Sequence, residues 1–512
     1  MLVKTLSSAI YGIRAQMITI EVNVSRGIRY HMVGLPDVAV KESLQRIETA
    51  ITSSGFRMPR QKIVVNLAPA YIRKEGSAFD LPIALGILAA SKQLDPSHLE
   101  NRLFLGELSL GGDLLPIRGV LSMTLLAKAK QLMGVILPAA NAQEAAVVEG
   151  IDVYAMSSLA ETVSFLKRGT DKPPHRFRMK AQAIPRSADG LDFSDVRGQE
   201  AAKRALEIAA AGGHNVLLVG PPGAGKSMLA RLLPTILPPI TLREALETAQ
   251  LYSITGKLSH EQPVMRARPF RAPHHTISPA ALAGGGSYPH PGEISLAHNG
   301  VLFLDELPEF RRSVLEVLRQ PLESHVVTIT RAKVSTDFPA DFILVAAMNP
   351  CPCGFLNHPT KNCPCGSRVI RQYMSRISGP LLDRIDMQIE VVPVSFDELN
   401  TERTTESSAI IRQRVILARE IQEKRFATSQ GATHCNARMD HRQVRQQCPL
   451  HEEGKALLRT AMDRLGLSAR AYDRILKVAR TIADIEGSCS IETQHLAEAI
   501  QYRSLDREDW AG

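Results

Sequence analysis

The sequence predicts an α/β fold organised around a parallel sheet, with an α+β part before it and a helical part after it. An apolar run at 215–219 leads through a glycine-rich loop into a helical pattern. Two further apolar runs of strand length, at 300–304 and 342–348, end in acidic residues and in an amide, respectively. Polar groups at the ends of neighbouring parallel strands are typical of a nucleotide-binding α/β domain.

The glycine-rich loop after the first strand fits the pattern G-x-x-x-x-G-K-[ST] at every position. Its backbone N–H groups and the N-terminus of the following helix are expected to point at the β- and γ-phosphates of a nucleoside triphosphate. Lys226 would supply a positive charge, and the Ser227 hydroxyl would ligate Mg²⁺. The predicted nucleotide-binding residues of this loop are Gly220, Pro221, Pro222, Gly223, Ala224, Gly225, Lys226 and Ser227.

The other two strands predict the rest of a hydrolytic site for ATP and Mg²⁺. Asp305 and Glu306 follow an apolar strand about 80 residues after the phosphate loop. Asp305 is expected to hold Mg²⁺, mostly through water, and Glu306 to orient and polarise the attacking water. Asn349 ends the third strand, where its amide can hydrogen-bond the γ-phosphate or the water.

Composition narrows the class of protein. A chain of 512 residues is long enough for roughly two to four domains, and no apolar run reaches the length of a membrane span. The N-terminus lacks the pattern of a secretion signal, which favours the cytoplasm and argues against a disulfide framework for the seven cysteines. The net charge of +9 permits a polyanionic partner without requiring one.

Four of the seven cysteines lie within fifteen residues, which predicts a shared role. Cys351, Cys353, Cys363 and Cys365 form two C-x-C pairs that are nine residues apart. Four thiolates suit tetrahedral Zn²⁺, and His358 inside the loop could replace one of them. Reduced, metal-free structural thiols are the other interpretation.

Basic residues concentrate in two segments near the predicted nucleotide site. Residues 255–300 lose periodicity, and an insertion of this length in a compact domain is usually functional or mobile. Residues 326–335 alternate as a β-hairpin does. The cations of interest are Arg268 and Arg271 in the first segment and Arg331 and Lys333 near the turn of the second.

Residues 396–512 are mainly helical by pattern. Arg470, Arg474 and Lys477 fall on one face of a helix predicted over 469–486, at spacings of four and three. They form either a solvated basic face or a face in which one cation senses the nucleotide phosphates.

Residues 1–168 alternate between strand and helix patterns, and two of their segments resemble the Lon-protease-like domain of the ribosomal-protein-S5-like superfold. The segments are 74–85 (KEGSAFDLPIAL) and 105–119 (LGELSLGGDLLPIRG). The resemblance places the nucleophilic serine at Ser77 and the catalytic lysine at about Leu121. Because a serine without an activating base is a weak nucleophile, we expect a non-proteolytic domain with Ser77 in a turn or helix cap.

The remaining motifs together resemble the magnesium-chelatase-like AAA+ proteins. They are the phosphate loop, the acidic pair, 349–354 (NPCPCG) and 381–386 (LLDRID). With the Lon-like domain included, the whole chain resembles the ComM/YifB family. The resemblance implies a hexameric ring in which Arg384 is the arginine finger that reaches a neighbour's γ-phosphate. It also matches Arg470 to the second sensor, with Arg474 as the alternative.

The resemblance further implies an ATP-dependent branch-migration helicase that acts on recombination intermediates, as in the integration of DNA during natural transformation. Its partners would be single-stranded and branched duplex DNA, and other recombination proteins are possible ones. The two basic segments resemble the helix-2 insert and the pre-sensor hairpin, which line the central pore in related ring helicases. Their cations would contact phosphates with little dependence on sequence.

Three other functions use the same motifs. A magnesium-chelatase ATPase subunit is disfavoured because it lacks a Lon-like domain. The missing lysine argues against a Lon-like protease, although an unfoldase stays possible. The complete set of ATPase motifs argues against a DNA-binding scaffold that does not hydrolyse ATP.

The predicted domains are a Lon-like (ChlI-type) domain at 1–168, a linker at 169–190, an AAA+ ATPase domain at 191–395 and a helical lid at 396–512. The linker is polar, basic and proline-containing, so it is either plainly solvated or in contact with nucleic acid.

Overall fold

The structure, a computed structural model of the chain, divides into two compact units. The first comprises Met1–Gln182 and Leu242–Met265, and the second comprises Ala183–Thr241 and Arg266–Gly512. It describes residues 1–74, 76–168, 172–177, 190–259, 263–286, 289–331, 334–356, 358, 360–394, 405–427, 433–503 and 505. Most of the predicted linker and the boundary predicted at 395 lie outside these residues, so the domain limits stay predictions. Lys333 also lies outside them.

The first unit is built on a seven-stranded mixed sheet. Its longest strands, Leu2–Tyr11 and Arg14–Ser25, pair antiparallel, and the second of them buries alternate residues as its sequence pattern predicts. In order across the sheet the strands are Tyr30–Val33, Lys62–Ala68, Arg14–Ser25, Leu2–Tyr11, Arg102–Phe104, Gly134–Pro138 and Asp152–Met156. The helices are Val38–Ser53, Asp80–Ala90, Val120–Ala129, Ala142–Ala146, Leu159–Arg168 and Leu242–Ile254, with short 3₁₀ turns at Pro96–Leu99 and Ala139–Asn141 and a small ribbon of Glu107–Leu108 with Leu114–Leu115.

Helix Leu242–Ile254 belongs to this first unit, although its place in the sequence lies inside the predicted ATPase domain. Ala249 is fully buried in an apolar cluster with residues of the first unit. Ser253 Oγ donates to Glu144 Oε1 over 2.5 Å, and the Gly119 N–H donates to the Ser253 carbonyl. The chain therefore leaves the second unit after 241 and returns to it at 266.

Part of the predicted linker packs on the first unit. The His175 N–H donates to the carbonyl of Val153, and Lys172 Nζ forms an ion pair of 2.6 Å with Glu161. Arg176 pairs with Asp152 over 3.1 Å. Residues 172–177 thus make specific contacts and are not the plainly solvated linker that the composition predicts.

The second unit contains the predicted parallel sheet, which has five strands. All four neighbouring pairs are parallel. In order across the sheet the strands are Phe270–Arg271, Val301–Leu304, Ile343–Met348, Val216–Val219 and Met387–Glu390. The strand that precedes the phosphate loop, Val216–Val219, is fully buried between two partners, which explains its continuous apolar sequence.

Helices surround this sheet and make up the C-terminal region. The helices are Glu200–Gly212, Lys226–Ile236, Pro279–Ala283, Glu293–Leu296, Arg312–Glu316, Pro321–Ser324, Ser367–Met374, Gly379–Leu382, Ser408–Phe426, His441–Gln447, Glu452–Leu465, Ala469–Ile485 and Thr493–Gln501. Further 3₁₀ turns lie at Phe193–Asp195, Leu307–Glu309 and Asn436–Arg438. Among all helices in the described parts of the chain, none has the length and hydropathy needed to cross a bilayer.

Two segments differ from their sequence patterns. Residues 311–322 have a helical sequence pattern but form two short helices, Arg312–Glu316 and Pro321–Ser324, because Pro321 can begin a helix but cannot continue one. The segment at 255–300 contains short elements where the pattern predicts none, including the edge strand Phe270–Arg271 and a two-stranded ribbon of Gly284–Gly285 with His290–Pro291. Pairs this short leave no periodicity to detect.

Candidate nucleotide-binding site

The phosphate loop lies between strand Val216–Val219 and helix Lys226–Ile236, as predicted. Gly223 and Gly225 both have left-handed backbone conformations, with φ of +81° and +85°. A Cβ added to either glycine would meet nothing within 4 Å, so the conformation and not crowding requires glycine there. The loop therefore leaves open space at the N-terminus of a helix, which is where a phosphate chain binds.

Lys226 is the most strongly held side chain of the loop. Its Nζ donates to the carbonyls of Gly220 (2.6 Å) and Pro221 (2.8 Å) and to Asn349 Oδ1 (3.1 Å). Burial lowers the pKa of Lys226, and the charge of Asp305 opposes that shift. The ammonium group is thus fixed between the loop and the end of the neighbouring strand.

The oxygen atoms predicted for Mg²⁺ lie next to one another. Ser227 Oγ donates to Asp305 Oδ2 over 2.6 Å, and the other Asp305 oxygen accepts the N–H of Glu306. Mg²⁺ prefers oxygen ligands and retains several waters, so a hydroxyl and one carboxylate at this place fit the ion. Ser227 and Asp305 would hold Mg²⁺, which would neutralise part of the negative charge of the phosphates.

Glu306 has a backbone conformation that is uncommon for a residue with a side chain. Its φ is +51°, and its carboxylate is more than half exposed. Such outliers concentrate at active sites, where the surrounding structure imposes them. The carboxylate is therefore open to solvent at the strand end, and its role in polarising the attacking water stays a prediction.

Sequence reasoning missed His275 as a neighbour of this glutamate. His275 Nδ1 lies 3.4 Å from Glu306 Oε2, and its ring meets Phe310 edge-on. The histidine comes from the segment whose periodicity is lost, and the signal available was only the basic run PFRAPHH at 269–275. Packing between the insert and the turn after Glu306 brings the two side chains together.

Arg384, the predicted arginine finger, is held inside its own chain. Its Nη1 donates to the Pro380 carbonyl over 2.5 Å, and its Nη2 forms an ion pair of 2.5 Å with Glu323. The side chain is only 10% exposed. It would have to leave Glu323 to reach another subunit, so its role there stays a prediction.

The two candidates for the second sensor have different surroundings. Arg474 donates to Asp386, a fully buried carboxylate that also accepts the N–H of Asn215. Arg470 is exposed in the first turn of helix Ala469–Ile485 and has no partner among the described residues. Arg474 therefore stabilises the fold, whereas Arg470 is available to a ligand.

The basic residues assigned to DNA are not equivalent. Arg268 donates to the carbonyls of Pro238 (2.7 Å) and Asn299 (2.9 Å), and Arg271 pairs with Glu293 over 2.5 Å. Both are half-buried, so neither presents a free guanidinium to a phosphate, and the expectation of DNA contacts at these two positions finds no support.

The predicted hairpin is confirmed as strands Val326–Arg331 and Val334–Pro339. The backbone of Arg331 pairs with that of Val334 at the far end. Lys333 is outside the described residues.

The four predicted cysteine ligands converge. Sulfur–sulfur distances are 3.3 Å from Cys351 to Cys353, 3.6 Å from Cys351 to Cys363 and 3.5 Å from Cys353 to Cys363. All four sulfurs, including that of Cys365, lie within 4.8 Å of one another.

Ser77 lies in a turn, one of its two expected settings, and does not cap the following helix. Its carbonyl closes a turn with the Asp80 N–H, but helix Asp80–Ala90 has no side-chain cap, and the Ser77 hydroxyl donates to Glu107 instead. Leu121 is fully buried in helix Val120–Ala129. An apolar side chain thus stands where the resemblance places the lysine base.

Comparison with known proteins agrees with this geometry. The family described as "Magnesium chelatase, subunit ChlI" matches residues 192–399, its C-terminal counterpart matches 405–503, and "Subunit ChlI of Mg-chelatase" matches 20–141. The chain is 46% identical to "Competence protein ComM" of Haemophilus influenzae, over 98% of this chain and 97% of that protein. It is 44% identical to "Uncharacterized protein YifB" of Escherichia coli, over 98% and 96% of the two chains.

The parallel sheet, the phosphate loop and the Ser227–Asp305 pair define a magnesium-chelatase-like ATPase of the AAA+ class, for which ATP and Mg²⁺ are the expected cofactors. Within that class, the chain belongs to the ComM/YifB family.

Proposed function

We propose that this protein is an ATP-driven DNA motor that works as a hexameric ring and migrates branches in recombination intermediates, as in the integration of DNA during natural transformation. The observation that carries the proposal is the direct connection between the hairpin and the nucleotide site. Strand Val334–Pro339 of the hairpin leads into strand Ile343–Met348, which ends at Asn349 beside Lys226.

This connection is short and stiff. Only 340–342 separate the hairpin from a strand whose six residues are all buried. A buried central strand cannot deform without disturbing its neighbours on both sides. A change at the γ-phosphate that moves the Asn349 amide would therefore be passed to the hairpin as a whole.

The far end of the hairpin is the part that we assign to DNA. Val327, Ile329 and Phe338 anchor the hairpin by burial. The backbone of Arg331 pairs with that of Val334 at the far end, and Lys333 is the second cation assigned to DNA from the sequence. Contacts of lysine and arginine with phosphates release counterions, so binding should weaken as salt rises and depend little on sequence.

The assignment of Arg384 as an arginine finger supports assembly as a ring. Arg384 matches the family's finger, which acts on the nucleotide of a neighbouring subunit. A cation supplied in this way stabilises the charge of the transition state and typically raises turnover about 10³- to 10⁵-fold. The pair with Glu323 would keep Arg384 away from that task until subunits assemble.

We also propose that the first unit is a Lon-like domain without protease activity. The buried Leu121 in place of a lysine base supports this, since the Ser77 hydroxyl bonds only to the carboxylate of Glu107 among the described residues. An unfoldase function would use the same ATPase site. Loss of an unfolding substrate's fluorescence, driven by ATP and blocked in Glu306→Gln, would favour it.

Metal insertion is the competing role for the ATPase. A magnesium-chelatase 67 kDa subunit of Chlorobaculum parvum is 30% identical over 31% of this chain, but that region is only 23% of the subunit. The relative named as a competence protein is matched over nearly its full length, which favours a role in DNA integration.

The test is ATP hydrolysis by the purified protein with and without a four-way DNA junction, at moderate salt. We expect the junction to stimulate hydrolysis and to be resolved into its branch-migration products. Lys226→Ala should abolish both activities and keep the thermal transition of the first unit. If DNA neither binds nor stimulates hydrolysis by an active ATPase, the motor function is excluded.

A further inference from the structure

We propose that the four-cysteine cluster formed by Cys351, Cys353, Cys363 and Cys365 is a structural Zn²⁺ site. The cluster lies directly after Asn349 in the sequence and brings two C-x-C pairs from the two ends of one loop together. Cys351 is buried and the other three thiols are half-buried, so the site is closed but within reach of solvent.

The spacing of the sulfurs fits tetrahedral coordination. Zn–S bonds of about 2.3 Å place the sulfurs of a tetrahedral site about 3.8 Å apart. The three distances among Cys351, Cys353 and Cys363 are 3.3 to 3.6 Å, and Cys365 completes the set within 4.8 Å. Small outward shifts of the sulfurs would admit the ion.

The same distances argue against the two other states of these cysteines, a disulfide and free thiols. A disulfide joins sulfurs at about 2.05 Å, well short of any separation seen here. Hydrogen bonds among neighbouring thiols are weak, because S–H is a weak donor and sulfur a weak acceptor. A soft divalent cation satisfies all four at once.

His358 is committed to the loop backbone and is not the fourth ligand. Its Nδ1 accepts the N–H groups of Thr360 and Lys361, both over 3.1 Å. The imidazole thereby closes a turn between the two cysteine pairs. This contact leaves the four sulfurs as the complete ligand set among the described residues.

The position of the cluster suggests what the metal stabilises. The loop turns at Gly354, whose N–H donates to the Cys351 carbonyl and whose Cα packs against Pro222 of the phosphate loop. The helix that follows the last cysteine carries Tyr373, whose hydroxyl interacts with the Asn349 backbone. A bound ion would fix the segment that carries Asn349 against the phosphate loop.

Metal content of the purified full-length protein tests the site. We expect about one zinc per chain by mass spectrometry of the metal in wild type and in Cys489→Ser, which alters an exposed cysteine outside the cluster. Cys363→Ser and Cys365→Ser should retain less than about a tenth of that amount.

Cobalt provides a second measurement that does not depend on how the variants fold. Wild-type protein stripped of metal and titrated with Co²⁺ should show the intense visible bands of tetrahedral cobalt thiolates, saturating at one equivalent and reversed by Zn²⁺. Absence of zinc together with absence of these bands would overturn the proposal. So would iron as the metal found in the protein as isolated, since four thiolates also bind iron.

Discussion

Arg384 is the residue whose surroundings bear most directly on how hydrolysis is controlled. Its guanidinium pairs with Glu323 and donates to the carbonyl of Pro380, whereas its buried Nε has no hydrogen-bond partner among the described residues. A buried unsatisfied donor is costly, and a better partner would relieve that cost. We therefore expect Arg384 to exchange Glu323 for the phosphate of a bound nucleotide when one comes within reach.

We expect Arg384→Ala to lower the rate of ATP hydrolysis about 10³- to 10⁵-fold while ATP still binds, because only the transition state needs this charge. Glu323→Gln is the matched change, since it removes the partner and keeps the arginine. It should leave hydrolysis unchanged or raise it. Steady-state hydrolysis and binding of a fluorescent ATP analogue measure the two effects, and a fully active Arg384→Ala would exclude the assignment.

A buried histidine, His214, and a half-buried one, His325, should make the second unit sensitive to acid. Burial lowers the pKa of His214 to about 4, against the attraction of Asp386, and burial together with Arg438 lowers the pKa of His325 to about 4. An unfolded histidine has a pKa of about 6.5. The unfolded chain therefore binds more protons than the folded chain between these values, and stability is lost as pH falls from about 6.5 to about 4.

For His214 alone the expected loss is about 1 kcal/mol of unfolding free energy per pH unit in this window. His214→Gln keeps a hydrogen-bonding group for Thr481 and should flatten the dependence by that amount. Urea denaturation at pH 7.5, 6.5 and 5.5 measures it. The control is His451→Gln at an exposed position, and an unchanged slope in His214→Gln would contradict the argument.

The contact between the cysteine-bearing loop and the phosphate loop depends on one glycine. Gly354 has φ of +82°, and a Cβ there would lie 2.5 Å from Pro222 Cδ. Gly354→Ala should therefore push the two loops apart and weaken ATP binding severalfold. Gly366→Ala changes the residue after the last cysteine, where a Cβ meets nothing within 4 Å, and should bind ATP normally. Equal affinities in an ATP-binding titration would show that the contact is unimportant.

Arg438 ties the C-terminal helical region to the base of the hairpin. From the turn Asn436–Arg438 it donates to His325 and Asp341, which flank the two hairpin strands, and to the Phe342 carbonyl over 3.2 Å. Burial raises the pKa of Asp341, but the charge of Arg438 and its neighbours outweighs burial and lowers it overall. Movement of the helices would thus reach the hairpin through this arginine.

We expect Arg438→Ala to destabilise the second unit by about 1–3 kcal/mol, because it leaves the half-buried Asp341 without its main partner. Arg445→Ala, at an exposed position on the next helix, should change stability by less than about 0.5 kcal/mol. Chemical denaturation followed by circular dichroism compares the two. If both variants unfold at the wild-type midpoint, the contacts of Arg438 contribute nothing to the stability of the second unit.

If Arg384 completes the site of a neighbouring subunit, as we propose, the catalytic unit is the assembled ring and not the single chain. Lys226→Ala destroys the nucleotide loop of its own subunit, whereas Arg384→Ala would impair the site next door. Mixing the two inactive variants in equal amounts should restore activity at about a quarter of the subunit boundaries, where an intact loop faces an intact finger. Hydrolysis by the mixture, compared with each variant alone, measures this, and a mixture as inactive as its components would place the finger in its own subunit or nowhere.

The sequence motifs alone were enough to predict which residues form the nucleotide-binding site. Four residues of the site were predictable because each directly follows an apolar strand or begins a helix, and such patterns can be read from a few consecutive residues: Lys226, Ser227, Asp305 and Asn349. Once the strands pair in parallel, the ends must meet at one edge of the sheet. Local periodicity therefore implied a non-local site.

Partners that are distant in the chain could not be predicted in this way. Arg268 looks like a cation for DNA until folding brings the carbonyls of Pro238 and Asn299 to it, and Arg474 looks like a sensor until it meets Asp386. Helix Leu242–Ile254 has an ordinary helical pattern that says nothing about which unit it joins. The sequence by itself determines which segments form helices and strands. The role of a charged side chain is decided only by the tertiary structure, because packing determines which groups lie within hydrogen-bond distance of it.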